Sequence, residues 1–120
     1  MKAKLFVLAS VAILALFATG CEKLKARDNL NKGVAAFKQA KYADAVEHFK
    51  TAVELDPSFP TARLYLATAY MSQYIPGAES AENQQNAKMA NDQFLKVLEQ
   101  DPKNTIATES LASLHYSEAQ

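Results

Sequence analysis

The sequence predicts an all-α protein made of antiparallel helix hairpins. Apolar residues recur at spacings of three and four in successive segments, which is the period of an amphipathic helix. Only three Gly and four Pro occur in 120 residues, whereas loop-rich and all-β chains need more turn residues. The dipeptide Asp-Pro, which ends helices, occurs twice, 45 residues apart. These observations favour a repeated helical unit within one small domain.

A hydrophobic leader precedes the helical region. Lys2 and Lys4 form a short basic segment, and residues 5–17 are an apolar stretch (LFVLASVAILALF). The stretch is short for a spanning helix, which needs about 20 apolar residues. A basic start, a short apolar run and small residues before a cleavage position are typical of a secretory signal peptide. We therefore expect export of the chain.

The residues Ala18-Thr19-Gly20-Cys21 resemble the lipobox of bacterial lipoproteins, although the usual box has Leu in place of Ala18. The resemblance implies cleavage between Gly20 and Cys21 and attachment of lipid, including palmitate, at Cys21. Several acyl chains anchor a protein stably, whereas one chain binds only marginally. Glu22 resembles the outer-membrane sorting signal of bacteria with two membranes, which implies a protein facing the periplasm. Ordinary secretion with a free cysteine is the alternative.

Two antiparallel helices are expected after the anchor. The first covers about residues 26–40 and has an apolar stripe at spacings of four and three. The second apolar stripe covers residues 42–53, and Asp56-Pro57 ends its helix. A third helix is expected from Thr61, its predicted N-cap, to about residue 74.

Pro76 and Gly77 break the chain after the third helix. Ser80 is the predicted N-cap of the fourth helix, whose polar first turns, residues 82–86, are expected to project into solvent. The fourth helix ends at Asp101-Pro102. A fifth helix is expected from Thr105, and it contains three large apolar residues: Ile106, Leu111 and Leu114.

An internal repeat is visible because an Ala-x3-Phe motif lies at the same distance before each Asp-Pro. This pattern is similar to the tetratricopeptide (TPR) repeat, W-x2-L-G-x2-Y, then A-x3-F, then P. The resemblance implies a TPR-like α-solenoid of about two and a half repeats. A generic helical bundle is the alternative. The residues expected to define the repeat packing are Gly33, Ala45, Phe49, Ala52, Pro57, Leu66, Ala67, Tyr70, Ala90, Phe94 and Pro102.

The second repeat carries an insertion, because its Asp-Pro lies 45 residues after the first while the TPR period is 34. The insertion is either a binding feature or a spacer. The predicted segments are a signal peptide (1–20), a lipidated tether (21–27), repeat 1 (28–59), repeat 2 (60–104) with an insertion near 74–84, and a capping helix or truncated third repeat (105–120).

The TPR resemblance implies a concave groove formed by the first helix of each repeat. Leu30 and Val34 occupy the places where family members that clamp a terminal carboxylate have Lys and Asn, so that activity is disfavoured. We expect the groove to bind an apolar or amphipathic segment of another protein; packing among these residues, or against a second copy, is the alternative. The candidate groove residues are Leu30, Asn31, Val34, Phe37, Lys38, Leu64, Tyr65, Thr68 and Met71, with Arg27 and Thr61 on the same faces.

Composition and motifs do not favour catalysis or nucleic-acid binding. Thirteen basic and thirteen acidic residues cancel, so there is no basic footprint for nucleic acid. His48 and His115 lie on different predicted helices without neighbouring ligands, which favours neither a metal site nor a catalytic constellation. A phosphate-binding loop and a dinucleotide fingerprint are both absent from the sequence. We predict a non-enzymatic protein without a cofactor.

Two function classes remain open. The first is a lipid-anchored adaptor or scaffold that binds proteins in the bacterial cell envelope. The second is a structural or self-oligomerising unit, or the N-terminal fragment of a longer TPR protein. A discrete self-oligomer that captures no envelope protein would favour the second class.

Overall fold

The computed structural model describes the backbone of residues 2–120 and the side chains of residue 4 and residues 20–120. This part of the chain is all-α. Each helix packs against the next one along the chain, which confirms the predicted class of antiparallel helix hairpins. The apolar stretch of the predicted signal peptide lies outside the described side chains. The helices are α1 (Lys2–Lys38), α2 (Tyr42–Leu55), α3 (Pro60–Gln73), α4 (Ala81–Gln100) and α5 (Thr105–Glu118).

The first hairpin, α1 with α2, is closed by a short turn at residues 39–41. Ala40 has a φ of 58°, the left-handed region in which a Cβ is unfavourable. The amide of Ala40 donates to Phe37 O at 2.9 Å, and that of Lys41 donates to Ala36 O at 3.0 Å, so the last carbonyls of α1 are satisfied. The helix therefore ends two residues before the predicted boundary.

The start of the first helix also differs from the prediction. Residues 20–25 are already helical, although the helix was expected from about residue 26. Ala26 is fully buried, so the helix is packed from its predicted start onward. Within the described residues, no helix is long and apolar enough to cross a membrane.

The turn between α2 and α3 follows the predicted Asp56-Pro57 signal. The amide of Phe59 donates to Asp56 O at 3.0 Å and closes the turn. The prediction that Thr61 caps α3 is wrong, because the helix begins at Pro60 with Phe59 in the cap position and no side-chain cap. Proline suits the first helical position, where its missing N–H would have had no partner.

The connection between α3 and α4 contains a tight turn at Pro76 and Gly77. The amide of Ala78 donates to Ile75 O at 3.2 Å, and Gly77 has a φ of 82°. Proline followed by a residue of positive φ is the arrangement of a type II turn. The sequence signal for a chain break at this position is confirmed.

Asn83 holds this turn against the start of α4. The prediction that it projects into solvent is wrong, because Asn83 is only 5% exposed. Its Oδ1 accepts from Ile75 N at 2.6 Å, and its Nδ2 donates to Ile75 O at 2.8 Å and to Ala78 O at 2.9 Å. Ser80 caps α4 as predicted, since its Oγ accepts from Asn83 N at 3.1 Å. The loop is therefore fixed by one buried amide.

The last helix, α5, begins at the predicted residue. Asn104 caps it by accepting from Ala107 N at 2.9 Å. Leu111 and Leu114 are buried, whereas Ile106 is 56% exposed. Ala107 is the buried residue of this turn. Successive side chains of a helix point about 100° apart, so Ala107 faces the core and Ile106 does not.

The core is narrow and rich in alanine, which allows the helix axes to approach closely. Its largest fully buried side chains are Phe49, Phe94, Leu114 and Val97. Phe49 and Phe94 occupy equivalent places in the two Ala-x3-Phe motifs. Burial raises the pKa of the Tyr70 phenol above its ordinary value.

Candidate protein-binding groove

The candidate groove lies between the first helices of the two hairpins, α1 and α3. Its predicted residues divide into two groups. Asn31, Lys38 and Tyr65 are exposed, whereas the others are half-buried. The half-buried residues are Leu30, Val34, Phe37, Leu64, Thr68 and Met71.

Five of the nine predicted groove residues line one cavity of about 200 Å³. A sixth residue, Phe49, reaches it from α2. The ring centroids of Phe49 and Tyr65 are 5.6 Å apart with the rings tilted by 40°, so aromatic surface from α2 and α3 is continuous. The remaining lining residues are Val34, Phe37, Lys38 and Thr68.

The absence of a side chain at Gly33 makes room for the Phe49 ring. A Cβ at this position would lie within 3.0 Å of three ring carbons of Phe49. Glycine therefore lets the Phe49 ring approach the α1 backbone, where the same ring also lines the cavity. Phe49 was predicted as a packing residue only. The small residue at position 33 was the available signal that the ring passes close to α1.

The polar groups at the cavity differ in what they offer a ligand. The hydroxyl of Thr68 already donates to Leu64 O at 2.8 Å, so it retains only its capacity to accept. Lys38 is exposed and is the one charged residue that lines the cavity. An apolar side chain with a neighbouring acceptor therefore fits these residues best.

The other predicted groove residues lie outside this cavity. Leu30, Leu64 and Met71 pack against the hydrophobic core, as the self-packing alternative expected. Asn31 remains exposed beside them. Arg27 lines a separate cavity of about 370 Å³ with Leu24 and Phe59. The apolar wall predicted from sequence is thus divided between the core and the cavity.

The residues predicted to define the repeat packing fall into two positions. Nine of the eleven are buried, and the two prolines are exposed in the turns after α2 and α4. Buried small residues let α1 and α3 approach their partner helices closely. The buried residues are Gly33, Ala45, Phe49, Ala52, Leu66, Ala67, Tyr70, Ala90 and Phe94; the exposed ones are Pro57 and Pro102.

The two histidines are not brought together. His48 is half-buried on α2, whereas His115 is exposed on α5, with its Nε2 2.8 Å from Asn91 Oδ1. Among the described residues, no group of three or more His, Cys, Asp or Glu side chains could hold a metal ion. The chain's single cysteine, Cys21, is exposed and has a free thiol.

Residues 33–73 match the sequence profile of the TPR repeat. This segment contains the end of α1, all of α2 and α3, and the Gly33 and Phe49 pair described above. No curated protein sequence matches the chain significantly.

Solved structures that resemble this chain include two TPR domains. The first TPR of Spaghetti (RPAP3) bound to the HSP90 peptide SRMEEVD has 22% identity and a TM-score of 0.43, covering 82% of this chain and 96% of that one. The Arabidopsis OM64 TPR domain has 17% identity and a TM-score of 0.44, covering 79% of this chain and 98% of that one.

The helix hairpins define the class: an all-α protein of TPR-like antiparallel hairpins, in which residues 33–73 match the TPR repeat profile. TPR repeats generally mediate protein–protein interaction, and their fold is typically a non-catalytic scaffold. The cavity described above is lined by residues of α1, α2 and α3.

Proposed function

We propose that this chain is a lipid-anchored TPR adaptor of the bacterial cell envelope. It is exported, cleaved before Cys21 and modified there, and it faces the periplasm from the outer membrane. Its groove receives an apolar or amphipathic segment of another envelope protein. The observation that carries the binding function is the cavity built by Val34, Phe37, Phe49 and Tyr65.

The exposure of Tyr65 supports binding over internal packing alone. Its side chain is 39% exposed, although its ring packs at a tilt against the ring of Phe49. A tyrosine presented in this way combines a large apolar face with a hydroxyl, and such residues are enriched at the centre of protein interfaces. A ligand side chain in the cavity would cover the exposed part of the ring.

The exposed thiol of Cys21 and the helix that continues from it support the anchor. The backbone is helical from residue 21 to Lys38, at a rise of about 1.5 Å per residue. An anchored chain would therefore present Phe37 roughly 24 Å along the helix from the lipid. Its partner would bind close to the membrane surface.

Site-specific photocrosslinking in the native membrane tests the groove. A photoreactive amino acid at position 65 should form adducts with one envelope protein, and Phe37→Asp should abolish them by placing a charge in the cavity. Leu95→Asp is the matched control, because Leu95 is 46% exposed on α4, outside the groove. Adducts that are only with the chain itself, or that persist in Phe37→Asp, would reject the proposed groove.

Labelling with radioactive palmitate tests the anchor separately. The wild-type chain should incorporate the label and sediment with membranes, and Cys21→Ser should do neither. Incorporation that survives Cys21→Ser would reject lipidation at this cysteine.

Self-association is the second candidate function, and exposed apolar residues on α5 favour it. Ile106 is 56% and Tyr116 is 70% exposed, so α5 presents apolar side chains that a second copy of the chain could cover. Sedimentation of the detergent-solubilised chain should show an oligomer that Ile106→Asp with Tyr116→Asp dissociates. A monomer in the wild type would exclude this candidate.

A further inference from the structure

The first helix differs in charge from the rest of the molecule. Residues 21–41 contain six Lys or Arg and two Asp or Glu, whereas residues 42–120 contain five and eleven. The chain from Cys21 onward is thus acidic overall, but its groove-forming first helix is cationic. This separation gives the molecule a field that attracts negatively charged groups toward α1.

Two cations bracket the apolar part of the groove on α1. Arg27 and Lys38 are both exposed, and among the described residues neither forms an ion pair within the chain. They are eleven residues apart, which corresponds to roughly 16 Å along a helix. Val34 and Phe37 lie between them at the cavity. The charges of both cations are therefore available to a ligand.

The size of the cavity limits what can enter it. Its volume of about 200 Å³ is below the roughly 300–1,000 Å³ of drug-sized ligand pockets. It has room for one large side chain and lies next to Lys38. A ligand that matches both features has an apolar side chain and a carboxylate close together.

We propose that the groove binds an acidic segment of a partner protein, which inserts one bulky apolar side chain and pairs its side-chain carboxylates with Lys38 and Arg27. This inference rests on the proposed binding function and specifies its ligand. In extended form, about five residues span the distance between the two cations. The apolar side chain supplies most of the affinity, and the carboxylates supply specificity and association rate.

Binding of short peptides to the full chain in detergent tests the ligand chemistry. The probe is a fluorescent, amidated peptide, Gly-Asp-Ser-Asp-Phe-Asp-Ser-Asp-Gly. Replacing Phe with Ser should weaken binding about tenfold or more, because the cavity loses its occupant. Replacing every Asp with Asn should weaken it roughly fivefold to tenfold, and sodium chloride should weaken the parent peptide but not the Asn peptide.

Reversal of the charges distinguishes recognition from a structural role of Lys38, which also lies in the last turn of α1 and there interacts favourably with the helix dipole. Lys38→Glu combined with Arg27→Glu should lose the Asp peptide and bind a version with Lys in place of every Asp. If Lys38 only stabilised the helix, the double variant would have a lower melting temperature and would still prefer the same peptide. Lys50→Glu, on an exposed part of α2, is the matched control and should leave the preference unchanged.

The outcomes separate this inference from the proposed function. Equal binding of the Asp, Asn and Lys peptides, with loss on Phe37→Asp, would reject the acidic ligand and leave the groove in place. Binding of the Asn peptide only when its C-terminal carboxylate is free would also reject the proposed pairing with side-chain carboxylates. If none of the peptides binds while crosslinking from position 65 still depends on Phe37, only the ligand assignment fails. If crosslinking does not depend on Phe37, both fail.

Discussion

The two helix hairpins share one packing motif and differ in the surfaces around it. Phe49 and Phe94 are buried at equivalent positions, with exposures of 1% and 0%. In the first hairpin, Gly33 lets the ring line a cavity beside α1. In the second, a buried Gln93 accepts from Arg63 Nη1 at 2.9 Å, so a polar contact joins the two helices. The same core motif therefore lies beside a surface cavity in one hairpin and beside an internal polar contact in the other.

The turns within the two hairpins also differ. The first is short and places Ala40 in the left-handed region, whereas the second is longer and is held by the Asn83 side chain. The helix that follows is 20 residues long in α4 and 14 in α2. The insertion in the second hairpin is thus accommodated by an ordered loop and a longer helix, and the Ala-x3-Phe core is unchanged.

Truncation of the paired phenylalanines should give the largest effects. Phe49→Ala and Phe94→Ala should each lower the free energy of unfolding by about 3–5 kcal/mol, because each leaves a cavity in the core. Urea unfolding monitored by circular dichroism measures both. Without urea, where both variants are folded, only Phe49→Ala should also impair crosslinking from position 65. Equal impairment would show that the two hairpins do not differ as described.

Removal of the Asn83 side chain should give the next largest effect. Asn83→Ala leaves backbone groups of Ile75 and Ala78 without partners, which should cost about 1–3 kcal/mol. Urea unfolding gives the energy, and faster amide exchange at Ile75 locates it. Gln84→Ala is the control, since Gln84 is exposed one residue away, and its effect should stay within about 0.5 kcal/mol. Unchanged exchange at Ile75 would contradict the role assigned to Asn83.

Exchange of the small residues on α1 and α3 tests why only the first hairpin needs glycine. Gly33→Ala should destabilise the fold by about 1–2 kcal/mol, since crowding against Phe49 exceeds the gain in helix propensity. Ala67→Gly, at the equivalent position on α3, should cost about 2 kcal/mol, because Ala67 is fully buried and the change loses both helix propensity and a buried methyl group. Thermal unfolding compares the two variants. A stabilised Gly33→Ala variant would mean that the Phe49 ring can move away at no cost.

The smallest effects are expected at the two turns. Ala40→Gly should stabilise the fold by about 1 kcal/mol, because it removes the Cβ from a left-handed residue. Gly77→Ala should destabilise it by about the same amount, since Gly77 has a φ of 82°. Shifts of opposite sign in the melting temperature are the expected observation. Shifts of the same sign would reject this explanation.

The helices and most of their ends were predictable from local signals. Apolar spacing located all five helices, and Asp56-Pro57, Pro76-Gly77, Ser80 and Thr105 marked four of their boundaries. The error at Thr61 is also local, because α3 begins one residue earlier, at Pro60, with Phe59 in the cap position.

The candidate site was predictable only in part. The TPR resemblance implied groove residues on α1 and α3, and five of them line the cavity. Phe49 was not assigned to the groove, because its ring reaches it from α2 past Gly33. Asn83 was not recognised because its polar neighbours on α4 gave no sign that one amide folds back onto residues 75 and 78.

Helical periodicity, turn residues and the spacing of Ala-x3-Phe before Asp-Pro are properties of neighbouring residues, so they are expressed in the chain whatever surrounds it. They establish the helices, their order and the repeat. The division of apolar residues between core and cavity, the close approach of Phe49 to Gly33 and the burial of Asn83 involve residues 5 to 34 positions apart. Such contacts form only when the hairpins pack, because packing alone determines which side chains lose contact with water.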